Sequence, residues 1–469
     1  MGVAWAKGII VRDDARPQGT RVPRYFKETQ HVTLVNDAAP AMRSSGRKFR
    51  AFTAKHLDEL TARAGLSERE RLETRAVATV LPFRTNAYVI EELIDWSAAP
   101  DDPIYRLVFP MPDMLPAADV ARLADLLRKE APKAEIDAVA REVRMGLNPH
   151  PAGQMELNIP SFGDGRIPGL QHKYDETVLY FPKQGQTCHA YCTYCFRWAQ
   201  FVGEPDLKMA GDDSQQLRDY VLAHPEVTSV LFTGGDAMIM GEGVLRRYVE
   251  PLLDIEQLES IRIGTKSLAY WPQKFVTDPD ADGMLRLFEQ VAESGKNLAF
   301  MAHFTHPREL EPLVVTEAIR RIRDTGAVIR TQAPLIRTIN DDPGVWNTMW
   351  RTQTRMGMVP YYMFVERDTG PQDYFAVPLG RAYEIFRDAY KDVSGLSRTV
   401  RGPSMSATPG KVCVDGVLDL FGEKVFALHF IQCRDSELVG KPFFAKYDPE
   451  AAWLDDLKPA FSDRFPWQS

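Results

Sequence analysis

The chain has 469 residues, 44% of them apolar and 26% charged, which is enough for two or three domains or for one large α/β unit with extensions. A net charge of −7 argues against a general nucleic-acid binder, and no apolar run reaches the length needed to span a membrane. Five cysteines are too few for a disulfide-built secreted scaffold, and the opening Met1-Gly2-Val3-Ala4-Trp5-Ala6 carries neither a myristoylation serine or threonine nor a long apolar run, so a reducing cytoplasm is expected.

The first fifty residues are basic and irregular and read as a solvated or partner-packed arm. Thr53 can cap a helix in which Leu57, Leu60 and Ala64 share a face, with Gly65 as its stop. Ser67 followed by Glu70 has capping-box spacing for a second helix through Arg75. Pro82 and Asp101-Asp102-Pro103 punctuate the region, and Pro116 opens a helix that aligns Val120, Leu123, Leu126 and Leu127. Residues 1–165 thus read as an α-rich N-terminal region with no evident chemistry.

From about residue 175 the texture changes. Short β-rich runs at 178–181, 227–232, 260–264, 298–304, 327–332 and 359–365 alternate with helical stretches near 215–222, 244–253, 284–293, 317–323, 345–356 and 380–390. Six β-α units in series predict parallel strands with helical crossovers. Six is too few for a closed eight-fold barrel, so residues 166–392 are expected to form a partial, open TIM-like (βα)6 barrel with reactive groups at the carboxyl ends of its strands. Residues 393–469 read as a short C-terminal region with turns at Pro409-Gly410 and Asp415-Gly416 and short strands such as 425–431.

Three of the five cysteines, Cys188, Cys192 and Cys195, fall in the spacing C-x3-C-x2-C in the loop after the first run. Thiolates this close can share one soft-metal centre, and with three ligands supplied the fourth position stays open to bind something else. A structural zinc would need Cys413, Cys433 or His189 as its fourth ligand, and disulfides cannot pair an odd cluster. The second run ends in Thr233-Gly234-Gly235-Asp236. Two glycines let a ligand approach the backbone and an aspartate can hold an ammonium or hydroxyl, although Gly-Gly-Asp is also ordinary turn chemistry.

Together these features resemble the radical S-adenosylmethionine enzymes. The resemblance implies a [4Fe–4S] cluster on Cys188, Cys192 and Cys195. Its uncoordinated iron would hold the methionine part of S-adenosylmethionine, whose amino group contacts the strand end Gly234, Gly235 and Asp236. Reductive cleavage would then release a 5′-deoxyadenosyl radical that abstracts hydrogen from substrate. The chain resembles the lysine 2,3-aminomutase family in particular. The residues that carry this are Pro168-Gly169-Leu170-Gln171-His172-Lys173-Tyr174, Thr233-Gly234-Gly235-Asp236-Ala237, Arg262-Ile263-Gly264-Thr265-Lys266, His303-Phe304-Thr305-His306-Pro307, Ile339-Asn340-Asp341 and Pro360-Tyr361-Tyr362, in that order between about 165 and 415.

The family resemblance further implies pyridoxal phosphate on Lys411, in a loop that keeps only Pro409 and Gly410 of a glycine-rich run. Lys173 and Tyr174 would meet its phosphate, and Thr177 replaces a further arginine there. Arg197 matches the clamp on the substrate α-carboxylate. Lysine-specific members hold the distant ammonium with two aspartates, and those positions read Arg367 (flanked by Glu366 and Asp368) and Ser404. A cation and a hydroxyl suit a carboxylate or amide, so an amino acid 2,3-aminomutase for an acidic or polar substrate is expected. A radical enzyme without pyridoxal phosphate is the alternative within the class, and a zinc-stabilised binding protein the alternative outside it. Expected partners are a small amino acid, an electron donor such as flavodoxin or ferredoxin, and a second copy of the chain in a homo-oligomer. Cys413 and Cys433 read as buried free thiols, so the family's zinc-bridged tetramer is not expected.

Overall fold

The computed structural model describes residues 47–163 and 165–468. The Met1 opening and nearly all of the basic arm lie outside them. Helix Glu68–Val80 begins at Ser67 in a reciprocal capping box: the Glu70 N–H donates to Ser67 Oγ at 3.3 Å and the Ser67 N–H donates to Glu70 Oε2 at 2.7 Å. It runs one turn beyond Arg75 because Ala76, Val77 and Val80 are buried against the rest of the fold. Helices Leu57–Arg63 and Ala117–Arg128 stand where the apolar spacing puts them, and a further helix, Lys133–Gly146, follows. Two three-residue strands, β1 (Ala51–Thr53) and β2 (Arg84–Asn86), pair antiparallel within this helical section. A two-stranded ribbon, β3 (Ser161–Phe162) and β4 (Gly165–Arg166), comes next.

The main sheet has eleven strands whose spatial order follows the chain. They are β5 (Leu170–Tyr174), β6 (Thr177–Tyr180), β7 (Ser229–Phe232), β8 (Ser260–Thr265), β9 (Asn297–His303), β10 (Val328–Leu335), β11 (Val359–Val365), β12 (Arg401–Ser406), β13 (Gly410–Leu420), β14 (Glu423–Cys433) and β15 (Pro442–Lys446). Strands β6 to β12 are mutually parallel, joined by crossovers that contain helices Ser214–Ala223, Glu242–Val249, Ala281–Glu293, Leu313–Asp324, Pro343–Arg355 and Leu379–Lys391. Strands β5 and β13 to β15 pair antiparallel at the two ends.

Two departures from the sequence reading matter. The parallel series has a seventh strand, β12, whose Arg-Gly-Pro-Ser-Met-Ser composition lacks the β-branched residues that mark a strand. It exists because helix Leu379–Lys391 returns the chain beside β11, where the ladder shifts register between Tyr362 and Phe364. Asp415-Gly416 is no turn but a bulge inside β13, and the chain reverses at Phe421 and Gly422, both at positive φ.

One apolar cluster runs from Phe52 through Leu57, Val77 and Tyr105 to Val230, Ile263 and Phe300, so the N-terminal helices share a core with the sheet. A second cluster, around Met405, Val412, Phe426 and Trp453, supports the antiparallel end. Among the described residues no helix is long and apolar enough to cross a membrane.

Candidate active site

The loop between β6 and helix Ser214–Ala223 carries the three cysteines, and the N-terminal section clasps it. The Tyr191 N–H donates to Arg84 O at 2.8 Å and the Thr193 N–H to Leu107 O at 2.9 Å. Asn86, fully buried, donates from Nδ2 to His189 O at 3.1 Å and to Tyr270 O at 3.0 Å, and accepts from the Val89 N–H. A region without chemistry of its own therefore shapes the loop that has it. Asn86→Ala leaves two buried carbonyls without that donor, a cost of about 1–3 kcal/mol each at most. Less iron per chain after anaerobic reconstitution and a lower melting midpoint are expected, and iron content equal to wild type would count against the clasp.

Cys188, Cys192 and Cys195 all line one cavity of about 480 Å³. Its other walls come largely from the carboxyl ends of the parallel strands: Gly234 and Gly235 after β7, Lys266 after β8, His303 on β9, Pro334 on β10 and Arg367 after β11. Burial pushes all three thiols up, Cys195 to about 12. A cation stands by each sulfur and pulls the other way: Arg84 by Cys188, Lys266 by Cys192, Arg197 by Cys195. Buried thiols like these ionise when a metal takes the proton's place, and the flanking cations offset the charge that results. His189 lines the same cavity. It is buried and held neutral, its pKa lowered to about 3 by burial, with Nδ1 2.9 Å from Ser267 Oγ. Cys413 and Cys433 lie on β13 and β14 and do not line the cavity. The donor set fits an iron–sulfur cluster with three protein ligands.

The glycine run packs against the same loop. A Cβ on Gly235 would lie 2.3 Å from the Thr187 carbonyl oxygen, and Gly234 has φ +139 with Gln186 Nε2 2.3 Å from where its Cβ would be. Asp236 spends its carboxylate on the protein. Oδ1 accepts from Thr265 Oγ1 at 2.7 Å and the Met238 N–H at 2.9 Å, and Oδ2 accepts from the Lys266 N–H at 2.8 Å. It ties the ends of β7 and β8 together.

Arg197 donates from Nη1 to Thr233 Oγ1 at 2.9 Å and to Gly234 O at 3.2 Å, with its guanidinium over Phe181 and Phe196. Burial lowers its pKa to about 10, so it stays charged at neutral pH. Lys411 opens onto the cavity from β13, its amine 4.3 Å from the centre of the Tyr362 ring. Burial, with Arg262 and Arg401 nearby, lowers its pKa to about 7. Lys173 and Tyr174 do not line the cavity. Lys173 donates to Ala407 O and is lowered to about 7 by burial and then by Arg367, Arg434 and Lys411. A neutral amine beside clustered cations is a donor set that fits an aldehyde cofactor carrying a phosphate. Arg434 is absent from the sequence reading, because only the return of β14 brings it to Thr408 O, Leu157 O and Asn158.

Arg367 lines the cavity with its guanidinium over Phe196 and its Nε without a partner. Ser404 does not line it: the side chain is buried and its hydroxyl donates to Met363 O at 3.4 Å. Arg262, Gln332, Tyr362 and Arg401 are further walls that the sequence reading leaves without a role. Strand alternation is the signal that finds Arg262: on β8 the buried Ile261, Ile263 and Thr265 alternate with Arg262 and Gly264, which face the cavity.

No family model matches the chain. It is 32% identical over 403 residues to a protein of Aquifex aeolicus (strain VF5) named "Putative L-lysine 2,3-aminomutase", covering 86% of this chain and 94% of that one. It is 28% identical over 234 residues to the L-lysine 2,3-aminomutase of Fusobacterium nucleatum subsp. nucleatum, covering 50% of this chain and 52% of that one. With the L-lysine 2,3-aminomutase of Clostridium subterminale it shares 28% identity over 244 residues, 52% of this chain and 56% of that enzyme. The chain thus spans nearly all of the first relative and about half the length of the other two. With that identity sustained along nearly the whole of the first, and with three cysteines and a glycine-rich strand end on one cavity, the chain belongs to the lysine 2,3-aminomutase family of radical S-adenosylmethionine enzymes.

Proposed function

We propose that the chain is an amino acid 2,3-aminomutase that moves the α-amino group of an acidic or polar amino acid to the β-carbon. Family membership implies the [4Fe–4S] cluster and S-adenosylmethionine, and Lys411 adds pyridoxal phosphate to this reading. The observation that carries it is the opening of Cys188, Cys192, Cys195 and Lys411 onto one cavity. When bound, the cluster with S-adenosylmethionine supplies a radical that abstracts hydrogen, and pyridoxal phosphate supplies a carrier for the migrating nitrogen. The seven parallel strands support an open, partial TIM-like barrel in which this chemistry sits at the strand carboxyl ends. A small electron-transfer protein of the flavodoxin or ferredoxin class would feed the cluster.

The chain's own share is binding, orientation and exclusion of water. Arg197, anchored through Nη1, presents the rest of its planar fork to an α-carboxylate. Lys411, with a pKa of about 7, holds a large share of free amine at neutral pH, the form that attacks an aldehyde. Tyr362 and Phe364 cover that amine with apolar rings. Lys173, Arg434 and Tyr174 offer donors to a phosphate.

Charge supports the substrate class. Arg197, Arg262, Arg367 and Arg401 line the cavity as cations, beside the partly neutral Lys411 and a Lys266 paired with Glu309, against Glu176, Asp236 and Glu366. Asp236 is committed to its neighbours, and burial holds the Glu366 carboxyl well above the usual carboxylate range. A substrate ammonium beside Arg367 would meet like charge, whereas a carboxylate would find a guanidinium. Although the relatives are named for lysine, anaerobic incubation with reductant, S-adenosylmethionine and single amino acids is expected to yield a β-amino acid from an acidic or amide-bearing one. Arg367→Ala should raise the KM for that substrate about thirtyfold or more, the scale of losing one partner of a buried charge pair. Conversion of L-lysine with no turnover of acidic or amide amino acids would overturn the substrate class.

A further inference from the structure

We infer that Cys413, Asp415 and His429 form a binding site for a zinc-class divalent metal in the β13–β14 hairpin, two residues along β13 from Lys411. The site is separate from the cysteine loop and independent of the reading of the cavity. Cys413 and His429 are direct partners across the antiparallel ladder. Asp415 is the extra residue of the bulge between Val414 and Gly416, and its Oδ2 stands 2.6 Å from His429 Nδ1. The sulfur, the ring nitrogen and the carboxylate oxygen all lie within 4.8 Å of one another, the only such trio of His, Cys, Asp or Glu atoms among the described residues.

The geometry is close to what a tetrahedral ion needs. Bonds of about 2.0–2.3 Å keep ligand atoms roughly 3.3–3.8 Å apart, so small side-chain rotations on two rigid strands would close the set on one ion. Thiolate with imidazole and one carboxylate selects zinc or a similar borderline ion over magnesium or calcium, which take oxygen ligands. Burial is graded in the useful direction: Cys413 is buried, His429 half-buried and Asp415 exposed. The ion could therefore enter from solvent, with water in the fourth position. Cys433 is no competitor, because it pairs opposite Gly410 rather than Cys413, with its thiol on Pro409 O at 3.4 Å. Cys413, expected from sequence to be a buried free thiol, meets His429 only through the ladder register, sixteen residues on in the chain. A metal here would clip β13 to β14 two residues outward of Lys411.

The test uses the full-length chain, purified anaerobically, with zinc and iron counted separately. One zinc per chain is expected beside the iron, and zinc-edge absorption should show a single sulfur in its shell. In the cluster-free variant Cys188→Ser/Cys192→Ser/Cys195→Ser, added cobalt(II) should give a thiolate-to-metal charge-transfer band that zinc abolishes. Cys413→Ser should remove that band, and Asp415→Asn, at an exposed position, should weaken metal affinity by about tenfold or more. Wild-type protein that neither carries nor takes up zinc overturns the site, as does a cobalt band that survives Cys413→Ser. If Cys413→Ser fails to fold, Asp415→Asn decides, and unchanged affinity there is a refutation.

Discussion

Serine at Cys188, Cys192 and Cys195 together is expected to leave a folded protein that takes up no iron or sulfide and forms no product. The three sulfurs are the cavity's soft donors, and each already has a cation beside it that offsets the charge of a bound cluster. A serine hydroxyl keeps the shape but does not ionise to a soft ligand. The loss of turnover should exceed about 10⁶-fold, because without the radical source only the uncatalysed reaction remains. Folding should survive, since the loop is held by backbone bonds from Tyr191 to Arg84 and from Thr193 to Leu107 and by Asn86, none of which needs a metal. Iron and sulfide content after reconstitution, far-ultraviolet circular dichroism and product formation check the three parts. Iron retained by the triple variant would dissociate the cysteines from the cluster.

Local signals in the chain carried much of this. Ser67 and Glu70 announce a helix start through spacing alone, because both halves of the capping box are local. The alternation of β-rich runs with helices reports the parallel series up to β11, since buried parallel strands read as apolar runs. What escaped is what depends on distant pairing. Strand β12 has the composition of a loop and is a strand only because β11 and β13 flank it. Asp415-Gly416 has turn chemistry, yet ladder bonds on both sides absorb it as a bulge. The site divides in the same way. The cysteine spacing and the glycine strand end are legible because their function is local. Asn86, Arg84 and Arg434 are not, because they act on loops 100 residues or more away, or through the close of a sheet.

The Asp236 carboxylate shows how a correct motif can carry an unexpected job. The same Gly-Gly-Asp that marks the strand end places its acid on the Thr265 hydroxyl and on the Met238 and Lys266 N–H groups. The question of what binds in the cavity then falls on Lys411 and Arg367.

Lys411→Ala is expected to retain iron and to lose β-amino acid formation by about 10³-fold or more, on the scale of removing a positioned catalytic group. The wild-type amine should be labelled by pyridoxal phosphate and borohydride with a sharp pH dependence. Its pKa is lowered to about 7, mainly by burial and then by Arg262 and Arg401, so the free amine grows as pH rises through 7. Labelling should therefore reach half its maximum near pH 7, where an ordinary lysine, with a pKa of about 10.4, stays almost wholly protonated. Lys173 has a similar depressed value but donates to Ala407 O, so peptide mapping should find the label on Lys411. Lys411→Arg cannot condense, so it should abolish the label. If Lys411→Ala turns over at the wild-type rate and no label forms at any pH, the radical acts without pyridoxal phosphate and the reaction is a different hydrogen abstraction.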